Sequence, residues 1–402
     1  MRMNKKDKVA LVPKLRFSEF KNEDAWKEMN IGKYLKESRI KGSKGDTAKK
    51  LTVKLWGQGV FEKKEILKGS ENTQYFRRKS GQFIYSKLDF LNQAFGIVPN
   101  YLDGYESTVD LPCFDVSENI DVRFLLEYVQ RTNFYKKYGE LADGGRKAKR
   151  IQVDTFLEFP IYMPNLKEQQ KIADCLSSLD DLITAEDKKL EVLKAHKKGL
   201  MQKLFPAKGK TMPEWRFPEF RDSGGWKEKT LSKLCNMQAG NFVQVSEIYE
   251  KRKNNMFPCY GGNGLRGYTY SFTHSGEYSL IGRQGALCGN ITYVIGDFHA
   301  TEHAVVVTNE KQVIAKWLYY LLVKMDLNQY ATGQAQPGLS VQVLQKIMTC
   351  APKEQKEQQK IADCLSALDA LITAQTEKIE TLKAHKKGLM QGLFPSIEEV
   401  DE

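Results

Sequence analysis

Leucines and isoleucines recur in alternating steps of four and three along two stretches of this chain, the spacing that lines up side chains on one stripe of an α-helix. In the first stretch they fall at Ile172, Leu176, Leu179, Ile183, Leu190, Leu193, Leu200 and Leu204. In the second they fall at Ile361, Leu365, Leu368, Ile372, Ile379, Leu382, Leu389 and Leu393. Polar residues fill the gaps at matching places, Glu186 and Lys197 in one stripe and Gln375 and Lys386 in the other. No proline or glycine interrupts either run before Gly199 or Gly388, and each ends at a Phe-Pro pair, where the proline ring forbids another helical turn. At 1.5 Å per residue each run predicts a helix of roughly 55 Å. A single amphipathic helix leaves such a stripe in water, so the two are expected to pack on each other in antiparallel fashion.

The two stretches are copies. Lys167–Pro206 and Lys356–Pro395 are identical at 32 of 40 positions. A weaker pair lies upstream, where VPKLRFSEFKNEDAWKE from Val12 matches MPEWRFPEFRDSGGWKE from Met212. Each half of the chain therefore begins and ends alike. Between these bookends the halves diverge, with only a faint echo between KSGQFIYSK at Lys79 and HSGEYSLIG at His274. The helices do one job twice, and the middles do two different jobs.

Each middle alternates short strand-like runs, such as Gly81–Ser86 and Ala304–Thr308, with Gly, Asn and Asp turn signals. One shorter helical pattern falls in each, at Val122–Val129 and Ile314–Lys324, and is expected to pack on a sheet. The predicted fold class is α+β: two globular domains joined by two long antiparallel α-helices, a pseudo-twofold internal repeat. A length of 402 residues agrees with more than one core. A hydrophobic content of 41%, with 20 Phe, 18 Tyr and 5 Trp, excludes a disordered chain.

Charge adds a partner. Lysine and arginine outnumber the acids 62 to 50, for a net charge of +12, which favours a polyanion such as nucleic acid. The excess is clustered in loop-like sequence. In the first middle the candidates are Lys41, Lys44, Lys49 and Lys50, then Arg77, Arg78 and Lys79, then Arg146, Lys147, Lys149 and Arg150. In the second they are Lys251, Arg252 and Lys253, then Arg266, Tyr268 and Arg283, with the amides Gln284, Gln334 and Gln336. Lysine suits phosphates, whereas arginine and the amides can bond purine edges in pairs, so two unlike clusters suggest two different base readouts.

The KEQQKIADCLSSLD and KAHKKGLMQKLF segments, the P-x-x-R-F-x-E-F entry, FPIYMPNLKEQQ at Phe159 and TGQAQPGLS at Thr332 resemble one family. The chain is similar to the specificity subunit of a Type I restriction-modification enzyme over about residues 12–395. The resemblance implies a first target recognition domain at 1–160 and a helical spacer at 161–206. A second recognition domain follows at 207–350, then a second spacer and tail at 351–402. It also implies double-stranded DNA as target, read in two halves, with the helices fixing the spacer length and docking two modification subunits. Restriction subunits would join through that complex. S-adenosylmethionine, ATP and Mg2+ would belong to those other subunits, and no cofactor to this chain. The alternative on the same residues is a non-catalytic coiled-coil adaptor with two protein-binding domains.

Catalytic patterns fail on inspection, leaving no catalytic or metal-binding residue among the expectations. No two of the 12 prolines are adjacent, which removes the proline-proline-aromatic loop of an adenine methyltransferase. His299-Ala-Thr-Glu-His303 fits a zinc-peptidase spacing but runs into Ala-Val-Val-Val, a strand signal where a helix is required. Gly262-Asn-Gly-Leu-Arg-Gly267 leads into Tyr-Thr-Tyr-Ser-Phe, not into a phosphate-binding helix, and reads as a turn. Gly209-Lys-Thr211 lacks the first glycine of a P-loop. The seven cysteines contain no CxxC pair, and the longest apolar run, Trp317–Val323, falls far short of the ~20 residues of a membrane span. A cytoplasmic location with no membrane partner is expected.

Overall fold

The computed structural model describes residues 11–64, 69–141, 150–285, 287–333 and 337–395. The chain divides into two compact units, residues 1–186 with 378–402 (unit 1) and residues 187–377 (unit 2). The long helices α4 (Leu166–Leu204) and α7 (Gln355–Leu393), at 39 residues each, give one half to each unit. At 1.5 Å per residue each is roughly 58 Å long.

Unit 1 contains strands β1 (Lys27–Asn30), β2 (Leu35–Ser38), β3 (Lys41–Lys44), β4 (Leu51–Lys54), β5 (Gly59–Glu62) and β6 (Gln74–Arg77). These are followed by β7 (Phe83–Tyr85), β8 (Phe95–Ile97), β9 (Glu106–Ser107), β10 (Cys113–Val116) and β11 (Pro160–Met163). The main sheet runs β2-β10-β7-β8, a smaller one runs β3-β6-β9, and β4 and β5 form a hairpin. Helix α1 (Val122–Val129) covers the stretch expected to be helical, with Asp121 accepting the first backbone N–H groups. Helices α2 (Thr132–Gly139) and α3 (Val153–Glu158) were not expected. The core is aromatic: Phe83, Tyr85, Phe90, Phe95, Phe114 and Phe156 are buried together. Rings there meet edge-on or offset, as with Phe90 and Phe95 at 4.8 Å, the geometry that ring quadrupoles prefer.

Unit 2 contains β12 (Lys227–Thr230), β13 (Cys235–Ala239), β14 (Phe257–Gly261), β15 (Gly264–Thr269), β16 (His274–Gly282), β17 (Ile291–Ala300), β18 (Ala304–Asn309) and β19 (Met348–Ala351). Six of them form one sheet in the order β13-β18-β16-β17-β14-β15. Helix α5 (Ala315–Lys324) starts one residue after the expected Ile314, which is its N-cap, and α6 (Val341–Lys346) is additional. The core here is largely aliphatic, with Ile281, Val305, Val307, Leu318 and Leu322 packed around Trp226 and Trp317.

The frame of each unit is the same. The strand entering the unit pairs antiparallel with the strand that leads into a long helix: β1 with β11 and β12 with β19. In unit 1, Arg16 donates two hydrogen bonds to Glu168 (2.8 and 2.7 Å) and the Trp26 indole lies 3.4 Å from the same carboxylate. In unit 2, Arg216 clasps Glu357 at 2.7 Å twice, and Trp226 donates at 3.1 Å. Both glutamates are 1% exposed, so the paired guanidinium offsets the desolvation of a charge buried in the first helical turn. The Phe closing each helix completes the frame: Phe394 packs on Trp26 and Phe124 in unit 1, Phe205 on Trp226 and Trp317 in unit 2.

The helical stripes are the inward faces. In unit 1, Ile172, Leu176 and Ile379 are buried and Leu179, Ile183, Leu382 and Leu389 half-buried. In unit 2, Leu190, Ile361 and Leu365 are buried and Leu193, Leu200, Leu368 and Ile372 half-buried. Leu182, Val192 and Leu371, off the stripes, are exposed. The pairing is antiparallel in both units: Glu186 meets Lys378 and Asp180 meets Lys386 in unit 1, while Leu204 clusters with Ile361 and Lys197 pairs with Asp369 in unit 2. Among the described residues, no helix is long and apolar enough to cross a membrane.

Candidate nucleic-acid interface

In unit 1 the small sheet β3-β6-β9 gathers the first basic cluster. Phe76 stands opposite Lys41 and Ser107, and Arg77 opposite Glu106. Lys49 joins them through its carbonyl, which accepts the Glu106 N–H. Lys41, Lys44, Lys49, Arg77 and Lys79 are exposed. Beneath them Glu106, 5% exposed, accepts from the Ser43 N–H at 2.7 Å and the Ser43 hydroxyl at 3.0 Å. A Cβ at Gly42 would come within 2.5 Å of that carboxylate, so a larger residue there would push the acid away from Ser43. A buried acid thus holds strand β3, beside which the exposed lysines stand.

Two expected members of this cluster are corrected. Arg78 is 2% exposed, and its guanidinium donates to the Ser107 hydroxyl (2.8 Å) and to the carbonyls of Ser38 (2.7 Å), Leu111 (3.2 Å) and Thr108 (3.4 Å). Burial holds it below its ordinary value. It ties strands together and is closed off from solvent. Lys50 is also buried, with its ammonium 5.3 Å from the centre of the Tyr75 ring. In both cases strand alternation decides: neighbours on an extended backbone face opposite ways, so a run of basic residues cannot all reach water. Arg150 is half-buried and pairs with Asp110 at 3.4 Å. Arg146, Lys147 and Lys149 lie outside the described residues.

In unit 2 the candidates form two groups. Lys251, Arg252 and Lys253 are exposed on the segment before β14, with the Lys253 ammonium 5.7 Å from the Tyr249 ring centre. The second group is assembled from distant loops. The Arg283 N–H donates to the His303 carbonyl, the Leu339 N–H to the Arg283 carbonyl and the Gly285 N–H to the Pro337 carbonyl. Gln284 bridges Gly338, and Thr332 bridges Gly338 in turn. Arg266 and Gln284 are exposed, Arg283 and Tyr268 half-buried. Gln334 and Gln336 lie outside the described residues.

Sequence reasoning missed three residues here. Asn263 is exposed at the β14–β15 turn, inside the Gly-x-Gly pattern set aside as a turn. His303 lies next to Arg283, its Nε2 3.1 Å from Glu302. Tyr270 is 56% exposed and stacks edge-on with Tyr249 at 5.7 Å, leaving an aromatic face beside Lys253. His299 lies in β17, one residue before its end, and is buried, 3.4 Å from the Ser271 hydroxyl, while His303 follows in a turn, so no helix carries the two. Among the described residues no group of three or more His, Cys, Asp and Glu is placed to hold a metal ion.

A model of the Type I restriction modification DNA specificity domain matches the chain twice, over residues 33–195 and 223–384. Among curated relatives, the chain is 44% identical over 152 residues to the Type I restriction enzyme EcoprrI specificity subunit of Escherichia coli, 38% of each chain. It is 26% identical over 280 residues to the MjaVIII specificity subunit of Methanocaldococcus jannaschii, 62% of this chain and 64% of that one. The chain therefore matches less than two thirds of the length of either relative. Among solved structures, the S subunit of a Type I restriction-modification system from M. genitalium superposes with a TM-score of 0.64 at 16% identity, covering 96% of this chain and 100% of that one. A structure described as concerning complex assembly and conformational transition of the type I R-M system gives 0.55 at 17% identity, covering 92% and 98%. At such identities the likeness is one of fold.

Proposed function

The chain belongs to the Type I restriction modification DNA specificity family, and from that premise we propose that it supplies the DNA address of such an enzyme, each unit reading one half of a bipartite duplex target. One observation carries this reading: a single frame is used twice to hold two unlike sheets. Arg16, Trp26 and Glu168 recur as Arg216, Trp226 and Glu357, yet the middles share neither strand order nor core chemistry. A repeated frame suits two copies of one partner, and divergent readers suit two different half-sites.

In this reading the exposed lysines contact phosphates, the arginines and amides contact base edges, and the paired helices set the number of base pairs between half-sites. Two modification subunits dock on the equivalent helical faces, and restriction subunits join through them. Methyl transfer from S-adenosylmethionine, and the ATP- and Mg2+-dependent steps, belong to those subunits, with this chain contributing no catalytic group.

Mapping methylated adenines in the host genome with the gene present and deleted tests this directly. A two-part motif that vanishes on deletion is expected. A continuous motif, or an unchanged one, overturns the proposal. Exchanging residues 212–350 for another reader should change one half of the motif only.

A further inference from the structure

The basic clusters explain attraction to a duplex but leave open how unit 2 tells one base pair from another. Strands β14 and β15 form a ribbon at the edge of its sheet, joined by a turn of Gly262 and Asn263. The tip of this ribbon is seated on neighbouring backbone. A Cβ on Gly282 would come within 2.0 Å of the Gly262 carbonyl oxygen, and one on Gly262 within 3.2 Å of the His303 carbonyl. Main chain lies directly on main chain, so the tip has little freedom to shift.

Arg266 is placed by a second device. Cys259 pairs with Gly267 and Tyr260 with Leu265, which leaves Arg266 as the unpaired residue of a β-bulge. A bulge bends its strand and re-aims the extra side chain. Arg266, Asn263 and Gln284 are all exposed, and none makes a side-chain hydrogen bond among the described residues. The major groove of B-DNA admits a two-stranded ribbon, where an amide can bond adenine N6 and N7 together and a guanidinium can bond guanine O6 and N7.

We propose that the β14–β15 ribbon enters the major groove and that Asn263, Arg266 and Gln284 are the base-reading residues of unit 2, with Lys251–Lys253 holding phosphates. The inference rests on the DNA-reading function above. Its chemistry is specific: side chains with paired donors or acceptors stand out beside a ribbon tip seated on neighbouring backbone, so a wrong base leaves them unbonded.

The test uses the full chain, assembled in its host, together with duplexes carrying or lacking the methylated motif mapped there. Asn263→Ala, Arg266→Ala and Gln284→Ala should each weaken binding to the motif duplex by about tenfold. Each should also relax one base position in one half-motif, leaving affinity for the unrelated duplex unchanged. Arg266→Lys, which keeps the charge but loses the fork, should lose the same discrimination. The combined Lys251→Ala, Arg252→Ala, Lys253→Ala variant should instead weaken both duplexes alike and reduce the salt slope by about three. An unchanged motif with affinities within about twofold for all the single variants overturns the assignment while leaving DNA reading intact. Wild-type chain that binds neither duplex, or binds without salt dependence, removes the underlying function as well.

Discussion

In unit 1, Lys386 of the long helix lies between two carboxylates, Asp180 at 2.7 Å and Glu127 at 3.0 Å. In unit 2 its counterpart, Lys197, pairs with Asp369 and faces the ring of Tyr320, whose hydroxyl donates to that same aspartate at 2.6 Å. Glu127 and Tyr320 are each the sixth residue of their helix, α1 and α5. The duplicated helices thus offer one lysine-aspartate pair to both units, and each unit completes it with different chemistry. For Lys386, burial alone would lower the ammonium's affinity for its proton, but the two carboxylates outweigh it and hold the pKa above the ordinary value. Burial raises Glu127, against the pull of Lys386. Tyr320 is also raised, by burial and by the bond to Asp369. Similar docking geometry is reached with a second charge in one unit and an aromatic hydroxyl in the other.

The largest expected effect lies in what the units share. Glu168→Ala and Glu357→Ala should each cost about 3–5 kcal/mol, since either leaves a buried guanidinium and an indole N–H without their acceptor. Denaturant unfolding followed by tryptophan fluorescence should give equal losses for the two. Markedly unequal losses would show that the frames are alike in geometry but not in energy.

Next is Arg78, which has no match in the comparison. Arg78→Ala should destabilise unit 1 by about 3 kcal/mol, because the Ser107 hydroxyl and the Ser38 carbonyl lose a buried guanidinium donor. Arg77→Ala should change stability by less than about 0.5 kcal/mol and instead weaken DNA binding. If the neighbours behaved alike, the division between inward and outward basic residues would be wrong.

The lysine pair sharpens the contrast itself. Lys386→Met should cost about 2 kcal/mol, because Glu127 is left buried without its partner, and Lys197→Met about 1 kcal/mol, because Asp369 keeps the tyrosine hydroxyl. Adding Glu127→Gln should recover part of the first loss. The smallest effect is with acid. His274 stacks on Phe298 in unit 2, and burial, then the nearby His299, hold its pKa below the ordinary value. A depressed histidine contributes stability above its unfolded value of about 6.5, and that contribution is lost as pH falls through the folded value. Lowering pH from 7 to 5 should therefore reduce the melting temperature of the wild type more than that of His274→Asn.

Much of this was legible in the sequence, for identifiable reasons. The heptad stripes announced α4 and α7, and local periodicity gave α1 and α5, because helical burial repeats within a few residues. The strands were harder. β7 and β18 fell where expected, but pairings such as β1 with β11 join residues 130 to 136 positions apart, which no local pattern encodes. The Arg-Glu-Trp clasp was visible as repeated letters without its meaning, since Arg16 and Glu168 are 152 residues apart. Arg78 and Lys50 misled because composition reports charge and not direction. Asn263 was passed over because its Gly-x-Gly surroundings were compared with a nucleotide-binding loop, when their use here is a tight turn.

The glycine seat beneath the β14–β15 tip has one more consequence. Because Gly262 and Gly282 touch through main-chain atoms, nothing in that contact depends on which side chains stand at 263, 266 or 284. The letters can be exchanged without resetting the type. If the ribbon reads bases as proposed above, substitutions at these three positions should change the base read while the main-chain seat of the tip is kept.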